Sequence, residues 1–377
     1  MKRFPEIKGR LGFGCMRLPM ADGAVDTAAF SRMVDCYLEA GFNYFDTARG
    51  YLGGKSETAL RDCLTSRYPR EKYILTDKLS VNHFTATEQI PLLIDRQLAS
   101  CGVSYFDFYL MHSQERETYE KYKKLHAYET ALSLKEQGKF RHFGISFHDK
   151  AELLEEILTD YPEVEVVQIQ LNYYDYDDAS VESRKVLEVC EKFEKPVFVM
   201  EPVKGGSLAR LPKAAEAVLD AVRGGDESTG ISNASYAIRF AAGFDSVEAV
   251  LSGMGTEQMV RDNVSYMKNF VPLSDAERDA VFRTAQIIRE SHPIPCTACR
   301  YCTDGCPKHI RIPDLFACMN DKTLFDDWNA DYYYEINTAE QNRASDCIRC
   351  GQCEKICPQH LPIRDLLRQV AEKMERD

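Results

Sequence analysis

Four residues of different chemistry are spaced through the first third of the chain: Asp46, Tyr51, Lys78 and His112. Three of them close apolar runs, 42–45, 73–75 and 106–111, that read as short buried strands. A carboxylate at the end of an apolar strand is costly to bury unless it is paired or hydrogen-bonded. An ammonium on the next strand end would supply that partner. Tyr51 follows Asp46 by five positions. A phenol has a pKa of about 10, too high to exchange its proton readily at neutral pH, and a cation beside it favours the phenolate. The expectation is that Lys78 lowers the Tyr51 pKa while Asp46 keeps Lys78 charged and oriented. His112 would donate to the carbonyl oxygen that Tyr51 protonates. Such a set can deliver a proton to a carbonyl that is receiving a hydride.

A second constellation lies near the end of the chain. Cys296-x-x-Cys299-x-x-Cys302-x-x-x-Cys306-Pro307 recurs as Cys347-x-x-Cys350-x-x-Cys353-x-x-x-Cys357-Pro358. The repeat runs on through Pro-Lys-His-Ile at 307–310 and Pro-Gln-His-Leu at 358–361, to Asp314-Leu315 and Asp365-Leu366. Three thiolates at three-residue intervals wrap three corners of a 4Fe–4S cubane while backbone amides point at its sulfides. Zinc would take two Cys-x-x-Cys pairs and leave the other cysteines unexplained. Disulfides are disfavoured in a reducing compartment. Two 4Fe–4S clusters are therefore expected. The other cysteines (15, 36, 63, 101, 190, 318) are scattered and read as small buried hydrophobes.

The elements that must carry the first constellation alternate regularly. A strand at 11–16 precedes a helix at 26–40, stopped by Gly41. The strand to Asp46 leads to a helix at 56–66 with Ser56 as its N-cap, and the strand to Lys78 to a helix at 87–100 with Gly102 past its end. After the strand to His112 come a long polar helix at 120–137, a strand at 142–146 and a helix capped by Asp149. Strands at 164–171, 196–200 and 246–251 and helices at 180–194, 233–242 and 256–269 follow, with a loop carrying Gly205, Gly206, Gly224 and Gly225 before 233. Eight strand–helix alternations describe an α/β chain folded as a (β/α)8 TIM barrel over residues 1–290. An open doubly wound sheet would want its glycines in the turn after the first strand, whereas Gly12 and Gly14 lie inside it. In a barrel the C-terminal strand ends meet at one mouth, which brings Asp46, Lys78 and His112 together with Tyr51 on the adjoining loop.

On these residues, in this order and spacing, the stretch 10–270 resembles the aldo-keto reductases. The resemblance implies an Asp46–Tyr51–Lys78–His112 tetrad serving a nicotinamide cofactor, NAD(P)H. It places Ser146 at the nicotinamide amide beside Gln168, and Met200-Glu201-Pro202 where the family has an aromatic residue and Ser-Pro against the ring. It places Gly253, Met254, Gly255 and Thr256 at the pyrophosphate and Asp262 and Asn263 near the adenine. Two departures matter. Phe147 replaces an Asn, and Gly253 and Met259 replace the Lys and Arg that clasp the 2′-phosphate of NADP. Binding that phosphate normally needs a cation. The expectation leans to NAD, with Lys204 and Arg261 as substitute cations.

The tail, 291–377, begins at Pro293 and Pro295 and is similar to helical ferredoxin domains. In two-cluster ferredoxins the fourth cysteine crosses over. This implies Cys296, Cys299, Cys302 and Cys357 around one cluster, and Cys347, Cys350, Cys353 and Cys306 around the other, with uncrossed ligation as the alternative. Trp328 and the run Tyr332-Tyr333-Tyr334 read as packing residues. A net charge of −12 over 377 residues argues against nucleic acid or an anionic membrane as a partner. With no long apolar run and no signal-peptide core, a soluble, cytoplasmic protein is expected. The leading expectation is an NAD(P)-dependent oxidoreductase acting on a small-molecule carbonyl substrate. The other class is an iron–sulfur electron-transfer protein whose barrel docks a redox partner protein. A hydride carries two electrons and a cluster one, a flavin normally mediates, and no flavin signature stands out. Structural and oxygen-sensing roles for the clusters stay open.

Overall fold

In the computed structural model, residues 4–178, 181–223, 231–296, 298–325, 328–338 and 342–375 are described; Gly224 and Gly225 lie outside them. Eight parallel strands close into a barrel. They are β1 Leu11–Gly14, β2 Tyr44–Asp46, β3 Ile74–Leu79, β4 Phe106–Gln114, β5 Phe140–Phe147, β6 Val166–Gln170, β7 Val197–Met200 and β8 Val247–Ser252. Each pairs with its neighbour in sequence, and β8 closes on β1 with Phe13 beside Ser252. Because such strands are covered on both faces, their sequences are near-continuous apolar runs. Inside the barrel, Tyr44, Ile74, Phe108, Val166 and Phe198 pack with Phe4 and Ile7. A larger apolar layer, with Phe13, Phe30, Tyr37 and Phe45 in it, joins strands to helices. At Gly144 a Cβ would stand 2.6 Å from the Val166 carbonyl oxygen, so β5 and β6 can approach there only because the residue is glycine.

Local signals explain several helix ends. Asp26 caps Thr27–Glu39 by accepting from the Ala29 amide at 2.9 Å, and Gly102, at φ 67°, ends Gln89–Cys101. Other expectations change. The helix expected at 120–137 is two helices, Arg116–Lys124 and Ala127–Glu136, parted at His126 with φ 49°. The break lets Tyr122 and Tyr128 both reach the core. Ser56 is no cap: the helix Lys55–Leu60 starts from Gly54, and the buried Ser56 hydroxyl is shared between Thr47 and the Cys15 carbonyl. Lys150, not Asp149, holds the cap position of Ala151–Asp160; Asp149 accepts from the Arg116 amide at 2.9 Å. Within 1–290 two helices were not foreseen, Lys213–Arg223 and Asp275–Glu290, the first within a stretch that reads as loop because of its glycines.

The chain forms two compact units. One comprises Met1–Asp177, Val181–Val203 and Gly230–Ser274; the other comprises Asp178–Ser180, Lys204–Thr229 and Asp275–Asp377. In the second unit, Ile312–Phe325, Trp328–Asn337 and Ile363–Met374 pack around Ile312, Leu315, Phe316, Tyr334, Leu367 and Val370. Asn320 anchors the lead-in, exchanging two hydrogen bonds of 3.0 and 2.8 Å with the backbone of Ile294. The sequence repeat is also a backbone repeat. Ala298 and Arg349 are left-handed at φ 52° and 57°, Arg300 and Gly351 at 62° and 74°, His309 and His360 at 52° and 51°. No helix among the described residues is long and apolar enough to cross a membrane.

Candidate functional site

The ends of β2, β3 and β4 converge on a buried polar cluster. Lys78, fully buried on β3, places its ammonium 2.5 Å from Asp46 Oδ1, 2.8 Å from the Thr47 carbonyl oxygen and 3.3 Å from the Tyr51 hydroxyl. Gln168, from β6, donates to the other Asp46 oxygen at 3.0 Å. Tyr51 is held over the cluster by the turn after β2, where Leu52, Gly53 and Gly54 are all left-handed. The Tyr51 and His112 rings lie 6.1 Å apart, edge to face. Ser80 and His112 Nδ1 are 2.6 Å apart, while the Tyr122 hydroxyl lies 2.6 Å from the Leu79 carbonyl and 2.9 Å from that of His112. Ser80 orients the imidazole, and Tyr122 ties β3 to β4.

The electrostatics follow from burial. The Lys78 ammonium is held well above its ordinary range, because Asp46 and Tyr51 outweigh a large desolvation penalty. Tyr51 is raised above the ordinary phenol value: burial is the largest cause, Lys78 pulls the other way, and Asp46 and Glu201 add to the rise. This departs from the sequence expectation, which gave the cation the decision. Burial pushes His112 well below its ordinary value, aided by Lys78 and His148, so the imidazole is neutral at pH 7. An ammonium has three protons. With three acceptors around it, Lys78 donates to the Tyr51 oxygen and leaves the phenol O–H to point elsewhere.

The remaining residues expected at a nucleotide divide. Ser146 is buried, its hydroxyl 3.2 Å from the Ser113 amide and 3.3 Å from His148 Nε2. Met200 ends β7; Glu201 follows in a left-handed conformation at φ 54°, its carbonyl bonded by Asn172 at 3.0 Å, and Pro202 is buried. Met254 is turned into the core. Thr256 caps Glu257–Met267 through the Met259 amide at 3.2 Å. Asp262 accepts from Ser232 at 2.8 Å, and Asn263 is engaged at both ends of its amide, by Ser252 and Tyr266, at 2.6 Å each. Of the substitute cations, Arg261 is bound to Glu257 at 2.6 Å, and in the second unit Lys204 lies 3.7 Å from Asp321. Arg17, which the sequence reading passed over, lies along Gly253: a Cβ built on that glycine would be 3.5 Å from its Nη1. It also faces Glu201 at 3.8 Å. A Cβ at Gly253 would thus make only ordinary van der Waals contact with the Arg17 side chain, which runs beside that turn.

In the second unit the cysteines gather around two cavities. One is lined by Cys296, Cys299, Cys302 and Cys357, with Ile312, Phe316 and Leu361 among its walls. The other is lined by Cys306, Cys347, Cys350 and Cys353, with Ile310, Ile312 and Leu367. Each cavity thus takes its fourth cysteine from the other half of the repeat. Among the described residues no group of three or more His, Cys, Asp or Glu converges on a point as a single metal ion would require. The thiols instead stand around a space between them, a donor set and arrangement that fit a cluster.

Comparison with known proteins agrees with this division. Residues 295–362 match the description of a 4Fe-4S dicluster domain. An aldo-keto reductase from Bacillus halodurans, in its holo form, superposes with a TM-score of 0.57 at 24% identity, over 73% of this chain and 91% of that one. An aldo-keto reductase from Klebsiella pneumoniae in complex with NADPH gives 0.56 at 18% identity, over 73% and 90%. These two likenesses are of fold. Norsolorinic acid reductase B from Aspergillus parasiticus is 29% identical over 119 residues, 27% of this chain; the match spans only 31% of that protein's length. Residues 10–283 match the aldo/keto reductase family itself, so this chain belongs to that family of oxidoreductases and carries, later in the sequence, a 4Fe–4S dicluster domain.

Proposed function

We propose that the barrel, residues 1–290, exchanges a hydride between a nicotinamide cofactor and a small carbonyl substrate, with Tyr51 as the proton donor, and that the tail, 291–377, holds two 4Fe–4S clusters. The observation that carries the first part is the Lys78 ammonium shared among Asp46, Thr47 and Tyr51. It fixes the phenol oxygen and leaves its proton available. The raised Tyr51 pKa keeps that proton in place at neutral pH, which suits reduction. The neutral His112, oriented through Nδ1 by Ser80, has Nε2 left to steady a carbonyl oxygen. A reduced nicotinamide, when bound, supplies the hydride. Ser146 offers a hydroxyl for its amide, and Arg17 over Gly253 offers the cation for a nucleotide phosphate. With Arg17 in that place, NADPH is no less suited than NADH.

Each cysteine cavity has the four thiols of a cubane, and this supports crossed ligation by Cys296, Cys299, Cys302 and Cys357, and by Cys347, Cys350, Cys353 and Cys306. Both cavities share Ile312 in their walls. That favours an electron-carrying role, with a one-electron redox protein as a second partner, and the thiolates suit a reducing, cytoplasmic setting. The test is oxidation of NADPH and NADH against a panel of aldehydes and ketones, anaerobically, on cluster-replete protein. Turnover is expected. No turnover with any of them, together with clusters that dithionite reduces, would favour an electron carrier whose barrel has lost its chemistry.

A further inference from the structure

Because the two cysteine runs repeat, the walls of the two cavities can be compared position by position. Around Cys296, Cys299, Cys302 and Cys357 the wall is mostly apolar, with Pro313, Phe316 and Leu361 in it. Its one cation, Arg300, is forked onto Asp314 by bonds of 3.0 and 2.7 Å, so its charge is answered. Around Cys306, Cys347, Cys350 and Cys353 the position of Pro313 is taken by Arg364 and that of Arg300 by Gly351. Arg364 is likewise answered, by Glu354 at 2.7 Å. What is left over is Lys308. It follows Cys306-Pro307 and lines the second cavity, whereas its counterpart in the first is the uncharged Gln359. Lys308 has no carboxylate partner among the described residues. The second cavity therefore has one uncompensated positive charge in its wall and the first has none.

We infer that the two sites are unequal electron acceptors, the one formed by Cys306, Cys347, Cys350 and Cys353 having the higher reduction potential, with Lys308 setting the order. The inference rests on the proposed two-cluster occupancy of these cavities. Adding one electron to a cubane adds one negative charge without making or breaking a bond, and the electron comes from an external one-electron donor. A nearby cation favours that added charge, and an apolar wall of low polarisability disfavours it. Apolar side chains line both cavities, with Phe316 and Leu361 in the first matched by Leu367 and Ile310 in the second, so the charge carries the difference. Lys308 is exposed, so salt screens part of its effect and the gap between the sites narrows as ionic strength rises. A single electron entering the tail resides on the Lys308 side.

The test is an anaerobic redox titration of the full-length, cluster-loaded protein, followed by electron paramagnetic resonance, with viologen mediators and with iron and sulfide measured first. Two one-electron steps are expected. Lys308→Gln should lower the upper step and leave the other in place; Gln359→Lys should raise the lower step; the two together should close or invert the gap. Coincident steps in the native protein, or a Lys308→Gln protein whose upper step does not move, would overturn the assignment. Well under about eight iron atoms per chain would instead remove the two-cluster reading beneath it. Both substitutions are of residues outside the thiolate ligands, and the iron analysis on each variant reports whether it loads as the native protein does.

Discussion

At the barrel mouth the polar side chains answer one another; around the cysteine cavities the thiols face a space. Asp46 is bonded through both oxygens, to Lys78 and to Gln168, and Lys78 has three acceptors. That site is built by the chain alone, at the cost of desolvating an ion pair, so the Tyr51 hydroxyl is held in place before anything binds. The second unit buries Cys302 and Cys353 and leaves Cys299 and Cys350 exposed, with no disulfide among them. Its core is small and includes the cysteines themselves. A site of the first kind should survive loss of its ligand. One of the second kind depends on its occupant for part of its folding energy.

Removing the iron gives the largest contrast. Chelation under anaerobic conditions should abolish the melting transition of the second unit while the barrel's transition stays, as differential scanning calorimetry would show. Two unchanged transitions would break the contrast. Cys353→Ala should lower iron from about eight to about four per chain.

Substitution at the barrel site comes next. Lys78→Met leaves Asp46 buried without its cation, which should cost about 3–5 kcal/mol of stability in denaturant titrations. A loss below about 1 kcal/mol would mean that water reaches the pair and that it is worth no more than an exposed one.

Arg17→Ala should have a smaller effect, confined to binding. Loss of hydrogen bonds to a charged group is worth about 1.5–3 kcal/mol, roughly 10- to 100-fold in Kd. A loss for NADPH alone, measured by quenching of protein fluorescence, places Arg17 at the 2′-phosphate. An equal loss for NADH places it at the pyrophosphate, and no loss removes it from the site.

The smallest effect is the pH dependence. Because the Tyr51 pKa is raised, its proton is kept through the neutral range, and the reductive rate should fall only on the alkaline side of the ordinary phenol value. Because the His112 pKa is lowered, the imidazole stays neutral until well into the acid range. A basic limb near neutral pH in kcat/KM would contradict the first of these.

The two regions also differed in how much of them could be read from sequence. The fold was legible because the strands are short apolar runs at barrel spacing, and both the cysteine pattern and the strand-end residues are local. Gln168 was expected at the site, but its contact with Asp46 was not, and the contacts that were missed join partners distant in sequence. Gln168 reaches Asp46 across 122 positions, and Arg17 meets Gly253 from the far side of the barrel seam. Neither contact leaves a periodicity. The direction of the Tyr51 shift was misjudged for a related reason: the cation could be read from the sequence, whereas the degree of burial that outweighs it could not. The helix Lys213–Arg223 was missed because flanking glycines read as loop.

The central claim is that Tyr51 protonates the carbon-bound oxygen while a hydride arrives from the nicotinamide. The direct test is single-turnover reduction with 4,4-dideuterated NADPH or NADH, run anaerobically on the native protein and on Tyr51→Phe at equal iron content. The account predicts deuterium on the carbinol carbon of the product and a rate roughly 10²- to 10⁴-fold lower in the variant. Deuterium missing from that carbon, or a variant as fast as the native protein, would contradict it.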